Sequence, residues 1–153
     1  MKSWLTIFNE ETWISFLQMP TKICAYNDQP GKRFPVISIG DEIICYVSKL
    51  QVLSGILTVA GERYRSQDAL YKGGIFPNRV PVSCEVALAL AEAVPMSTLE
   101  GKLSFFPSGA TGKDWGPFVR NSPRILHVPD AKALADAIRA GSLAKASAEK
   151  PAT

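Results

Sequence analysis

Two apolar runs separated by a short polar break constrain this chain most. Glu42-Ile43-Ile44-Cys45-Tyr46-Val47 follows the turn pair Gly40-Asp41, and Gln51 to Val59 follows Ser48-Lys49-Leu50. Both runs are rich in β-branched and aromatic residues and are bounded by turn chemistry. They predict two strands folding back on one another, with Ala60 and Gly61 at the far end. Such a pair is not stable in water by itself and needs further strands or helices to cover it.

Candidates for that cover lie on both sides. Ser3 to Phe8 alternates and carries Trp, Thr, Ile and Phe, so it predicts a first strand. Asn9 is a good N-cap, and Glu10 and Glu11 suit the positive end of a helix dipole. Trp13, Phe16 and Leu17 then fall on one helical face before Pro20 ends the helix. Thr21 to Tyr26 reads as a short strand and Asn27-Asp28-Gln29-Pro30-Gly31-Lys32-Arg33 as a polar loop. Phe76 to Cys84 predicts a strand that Pro77 and Pro81 confine to a sheet edge. Glu85 to Glu92 reads as a helical turn or two, and Met96 to Leu99 as another turn. A last helix is expected to be capped by Asp130, with Ala131, Leu134, Ala135 and Ile138 at helical spacing and Gly141 as its stop. Residues 1–141 are thus expected to form one domain and 142–153 a disordered, Ala-, Ser- and Lys-rich tail. The fold class expected is α+β, a small mixed β-barrel with peripheral helices.

The bulk numbers exclude more than they identify. With 153 residues, 46% hydrophobic and 20% charged, the chain suits one domain with a real core. No run approaches the ~18 apolar residues of a membrane span. The N-terminus does not read as a signal peptide, because its apolar run is short and Glu10-Glu11 ends it. The expected location is therefore cytoplasmic. Cys24, Cys45 and Cys84 form no CxxC pair, and His127 is the sole histidine, so no zinc set is legible and each cysteine is expected to be a small buried side chain. A nucleophile with its base, a GxSxG turn, an HExxH helix and a Walker-type Lys-Ser/Thr are all missing. Gly109 to Asp114 looks superficially like a phosphate loop but has Asp114 where that loop has Ser or Thr. The chain is therefore expected not to be an enzyme and to need no cofactor and no metal.

What remains is a set of aromatics beside chain breakers and cations: Phe76-Pro77-Asn78-Arg79, and Trp115-Gly116-Pro117-Phe118 running on to Arg120, Asn121, Ser122 and Arg124. A flat ring held beside a turn, with Arg and Asn nearby, suits stacking on a nucleobase attached to its phosphates. The net charge of +3 permits a polyanion without demanding one. Lys113 clusters with Arg120 and Arg124, and Lys72 with Arg79.

Taken in order, Trp4-Leu5, Asn9 with Trp13, Gly40-Asp41-Glu42-Ile43-Ile44-Cys45-Tyr46, Leu53-Ser54-Gly55-Ile56-Leu57-Thr58-Val59 and Phe76-Pro77-Asn78-Arg79-Val80-Pro81-Val82 resemble the EVE domain. The EVE domain is a member of the PUA-like group that also holds YTH and ASCH domains. The resemblance covers roughly residues 3–140, and Leu103 to Phe106 and Trp115 to Arg124 continue it. It implies a non-enzymatic module that takes a modified base, such as methylated or hydroxymethylated cytosine in DNA, into an aromatic pocket. It further implies Phe8, Asn9, Tyr26, Val47, Ser48, Phe76, Trp115, Asn121 and Ser122 as base-binding residues and Arg79, Lys113, Arg120 and Arg124 as phosphate contacts. The implied partner is nucleic acid, with a nuclease or modification enzyme encoded separately. An RNA-binding accessory domain, or a small-molecule or protein-interaction module on the same barrel, stands as the alternative. The chain departs from the family pattern in having Tyr26 where a Trp is common and in the enlarged Asn27–Arg33 loop.

Overall fold

Alternation along each strand sorts the side chains into two apolar clusters. The structure, a computed structural model, describes residues 1–71, 74–109, 118 and 122–149, with side chains through 145. In β1 (Ser3–Phe8), Trp4 and Phe8 enter one cluster while Leu5 and Ile7 enter or border the other. In β3 (Glu42–Val47), Ile43, Cys45 and Val47 go one way and Ile44 and Tyr46 the other. Both faces of these strands are covered, which is why β3 reads as a continuous apolar run rather than alternating with polar residues.

The first of these clusters is closed by α1 (Glu10–Gln18). Asn9 caps that helix: its side chain accepts from the Thr12 N–H, and Thr12 Oγ1 accepts from the Asn9 N–H. Trp13 and Phe16 are fully buried. The Trp13 indole donates to the Leu88 carbonyl at 2.8 Å, and its ring lies against Gly55, where a Cβ would stand 3.0 Å from it. A buried aromatic of this size is worth ~3–5 kcal/mol against alanine. The helix stops ahead of Pro20, and Lys22 Nζ donates to the carbonyls of Phe16, Leu17 and Met19 at 2.7–3.0 Å, neutralising its negative end.

The remaining elements are β2 (Ile23–Tyr26), β4 (Val52–Val59), β5 (Tyr64–Arg65), β6 (Asn78–Ala87), β7 (Val94–Pro95), β8 (Arg124–Ile125) and α2 (Val128–Glu149), with 3-10 turns at Leu90–Glu92 and Met96–Leu99. Among the described residues the strands form one mixed sheet in the order β2-β6-β4-β3-β1-β8, with β5 on β6 and β7 on β4. The β1–β3 pair is parallel and the rest are antiparallel. The sheet curls into the small mixed barrel expected, as a half-barrel whose open seam lies between β2 and the β1–β8 end, where β8 covers only Trp4 and Leu5 of β1. Thr6 Oγ1 and the Tyr26 hydroxyl bridge the seam by a buried hydrogen bond of 2.8 Å. α2 lies on the outer face, where Leu134 and Ile138 pack with Leu5, Ile44, Leu53 and Ile56.

Several expectations change. β6 is not an edge: it pairs with β2 and β5 through Asn78–Pro81 and with β4 through Val82–Ala87. Pro81 sits where the ladder passes from one set of partners to the other, so its missing N–H breaks no continuous ladder. The strand also runs through Glu85 to Ala87, where helical turns are predicted. Gly141 does not stop α2, which continues to Glu149; residues 142–149 are helical instead of a disordered tail. Alanines and long-chain residues carry the helix forward, and Gly141 is there because a Cβ would stand 2.6 Å from Val94 Cγ2. Asp130 lies inside the first turn of α2, and its carboxylate accepts from the backbone and hydroxyl of Ser104. Cys24 and Cys45 are buried, as expected, but Cys84 is exposed. Among the described residues no helix is long and apolar enough to cross a membrane.

Candidate functional site

The seam of a half-barrel is where strand ends leave side chains without a neighbouring strand, and here it holds two adjoining clefts. The first, about 200 Å³, is lined by Ile7, Ala25, Tyr26, Asn27, Gln29, Phe76 and Ser122. The second, about 170 Å³, is walled by the loop Asn27–Pro35 and closed by Asn78, Ser122 and Pro123. Asn27, Gln29 and Ser122 belong to both. Either cleft is smaller than the ~300 Å³ at which drug-sized pockets begin, a scale suited to a single planar ring system.

The first cleft is held from both sides of the seam. Ser122 Oγ accepts from the Ile7 N–H at 3.0 Å, and Gln29 Nε2 reaches the Ser122 carbonyl at 3.4 Å. Tyr26 is its floor. The ring is buried, 5.4 Å from Phe34, and burial pushes the phenol well above its usual range. Tyr71 anchors β2 beneath it, donating to the Ile23 carbonyl and accepting from the Ala25 N–H. Phe76 stands at the other wall with its ring 5.2 Å from Tyr71 and directly over Gly74, where a Cβ would fall 2.6 Å from the ring. Its backbone is left-handed, φ +52°, which for a bulky residue costs ~1–2 kcal/mol.

Arg79 holds Phe76 in that conformation. Its guanidinium donates to the carbonyls of Phe76, Ile75 and Asp68, and the residue is 4% exposed. The expectation that Arg79 meets phosphate is corrected here: Arg79 alternates away from the inner residues Val80 and Val82, and the segment carrying Asp68, Ile75 and Phe76 lies over it and receives its charge on backbone carbonyls.

The second cleft has a polar base. Asn78 is fully buried; its Oδ1 accepts from Arg65 at 2.8 Å and Arg63 at 3.2 Å, and its Nδ2 donates to Asp28 at 2.8 Å. Asp28 is clamped by Arg65 through two bonds of 2.8 and 3.0 Å. The hydrogen bonds from Arg65 and Asn78 lower its pKa to about 2, so it is a carboxylate at any physiological pH. Arg63 lies 4.9 Å from the Phe34 ring centroid. Lys32 and Arg33 line the cleft, are exposed, and form no ion pair among the described residues.

The structure therefore brings together Tyr26, Phe76 and Ser122 of the expected base-binding residues. It separates four others. Phe8 and Val47 are buried in the inner cluster, because the residue of β1 that borders the cleft is Ile7 and its neighbour points to the opposite face. Asn9 is occupied as the cap of α1, and Ser48, whose N–H donates to the Phe8 carbonyl, lines a different hollow with Asn9, Glu10, Glu11 and Lys49. Arg124 is spent on an aromatic stack rather than left free for phosphate: it lies 3.8 Å from the Phe118 ring and donates to the Phe118 carbonyl, and Phe118 stacks on Phe105 at 3.9 Å. Trp115, Asn121, Lys113 and Arg120 lie outside the described residues. Asp28, Gln29, Lys32, Arg33 and Asn78 were not among the expected site residues. The signal available for them was the mixed charge and amide content of the loop after Tyr26, read only as a turn.

No protein-family model matches the sequence, and no curated protein matches it significantly. Solved structures do match. The YTH domain of Mmi1 is 13% identical with a TM-score of 0.58, over 94% of this chain and 99% of that one. A hypothetical protein from Leishmania major is 13% identical with a TM-score of 0.61, over 95% of this chain and 97% of that one. The YTH domain of Zygosaccharomyces rouxii MRB1, solved in complex with N6-methyladenosine RNA, is 10% identical with a TM-score of 0.53, over 88% of this chain and 85% of that one. At such identities the likeness is one of fold: this chain has the α+β, PUA-like half-barrel that YTH domains have.

Proposed function

We propose that this chain is a non-enzymatic nucleic-acid-binding module that takes one modified base into the seam cleft. The observation that carries the reading is the cleft itself, where the rings of Tyr26 and Phe76 stand beside the polar groups of Asn27, Gln29 and Ser122 at the open side of the half-barrel. Aromatic walls receive the face of a base, and each stack contributes ~1–3 kcal/mol. Amide and hydroxyl groups at the rim suit hydrogen bonds to its edge. The clamp of Arg79 on the strained Phe76 fits a residue kept in place for contact rather than for packing. The ordered motifs shared with EVE domains and the fold shared with a YTH domain bound to N6-methyladenosine RNA support the same class of ligand. On this reading a nuclease or modification enzyme, encoded separately, acts on the strand that the module recognises.

The test is fluorescence anisotropy with matched single strands of RNA and DNA. They would carry N6-methyladenine, 5-methylcytosine, 5-hydroxymethylcytosine or no modification. One modified strand is expected to bind at least about tenfold more tightly than its unmodified match, with Phe76→Ala costing ~1–3 kcal/mol of that binding. Equal affinity for modified and unmodified strands in both backbones would overturn the reading.

A further inference from the structure

The loop that enlarges this chain between β2 and β3 builds a cleft of its own beside the base cleft. We propose that this second cleft is a subsite for the adjoining nucleotide, with Lys32 and Arg33 on its phosphates. The inference rests on the reading of the first cleft as a base pocket.

Three observations lead to it. First, continuity: Asn27, Gln29 and Ser122 line both clefts, so a strand with one base in the first passes directly into the second. Second, charge: the arginines and the acid packed around the base of this cleft are already engaged. Arg65 is paired with Asp28, Arg63 is bonded to Asn78, and Arg79 is turned onto carbonyls. Lys32 and Arg33 are the cations of its lining, exposed and without an ion pair among the described residues, and an anion reaching the cleft meets them. Third, chemistry: the Phe34 side chain lies in the lining beside the polar groups of Asn27 and Gln29, a combination that suits a ring with hydrogen-bonding edges rather than a bare phosphate ion. The Asp28 carboxylate also lines this cleft and stays charged, and its ion pair with Arg65 offsets its repulsion of a phosphodiester.

The experiment compares the wild type with the double variant Lys32→Gln, Arg33→Gln. The probes are a free modified nucleoside and matched single-stranded hexanucleotides with and without the same modification, the one preferred in the anisotropy series. Both residues are exposed, and a matching thermal melt shows that the variant is folded. The expected result is equal nucleoside affinity in the two proteins, together with loss in the variant of the extra affinity of the hexanucleotide. The slope of log K against log salt should fall by about 1.4, at about 0.7 for each phosphate contact on a single strand. Nucleoside binding with an unchanged hexanucleotide gain and slope would overturn the second subsite and leave the base pocket standing. Salt-sensitive hexanucleotide binding that depends on Lys32 and Arg33 but not on the modification would support the phosphate contacts and overturn the base reading.

Discussion

Asp41 shows how one residue can look like a turn in sequence and act as a keystone in the fold. It follows Gly40 at the start of β3 and is 3% exposed. Burial works against its charge, but the N–H groups of Lys2 and Ser38 and the indole N–H of Trp4 donate to it at 3.0 Å each, and together they hold the carboxyl below its usual range. A folded value below the unfolded ~3.9 contributes stability that is complete above that pH and is lost as pH falls through the folded value. Asp28, lowered to about 2, acts in the same direction. In urea titrations the wild type should weaken steadily from pH 5 to pH 2. Asp41→Asn should cost about 2 kcal/mol at pH 7 and less at each step down, since the interaction it removes is itself disappearing. Parallel curves for the two proteins across that range would refute the assignment. Arg79 and Lys22 make the same point from the other sign of charge. Both look like surface cations in sequence, yet each is turned onto three backbone carbonyls.

At the scale of elements, composition and periodicity were enough for α1, β1, β3 and β4, because each is bounded by its own caps and turns: Asn9 and Pro20, Gly40-Asp41, and Ser48-Lys49-Leu50. They fail where a neighbour decides. Gly141 carries a stop signal, but α2 passes over β7 at that residue and needs the missing side chain for close approach to Val94. Two effects compete on substitution. Leucine gains somewhat less than ~1 kcal/mol of helix propensity over glycine, while forcing a side chain against Val94 costs ~1–3 kcal/mol. For Gly141→Leu the clash should win, with a net loss of ~1–2 kcal/mol in urea denaturation, whereas Leu at the exposed Ala140 should lose nothing. A Gly141→Leu protein as stable as Ala140→Leu would show that α2 does not press on β7. β6 teaches a similar lesson: its prolines argue for an edge, and only the change of partner at Pro81 explains how it is paired on both sides.

For the molecule as a whole, the consequential feature is that the sheet curls without closing. Thr6 and Tyr26 bridge the seam by a buried hydrogen bond, and the two clefts open beside it. Tyr26→Phe keeps the ring but leaves Thr6 without that partner, which should cost ~1–2 kcal/mol of global stability. It should also speed hydrogen exchange of the β2 amides more than those of β3, because β2 is held by β6 on one side only. Uniform exchange across the sheet would mean that the bridge does not hold the seam.

Local chemistry in the sequence determined α1 and the strands β1, β3 and β4, and the aromatic character of Tyr26 and Phe76, since these follow from side-chain period, caps and turns. The tertiary structure alone decided which residues share the seam. Phe8 and Ile7 differ by one position and face opposite ways, and Arg79 and Arg33 differ only in whether a carbonyl or solvent receives the charge. The Asn27–Arg33 loop becomes a cleft wall only once it meets the Ser122-Pro123 segment ahead of β8, and contacts of that span have no signature in local sequence.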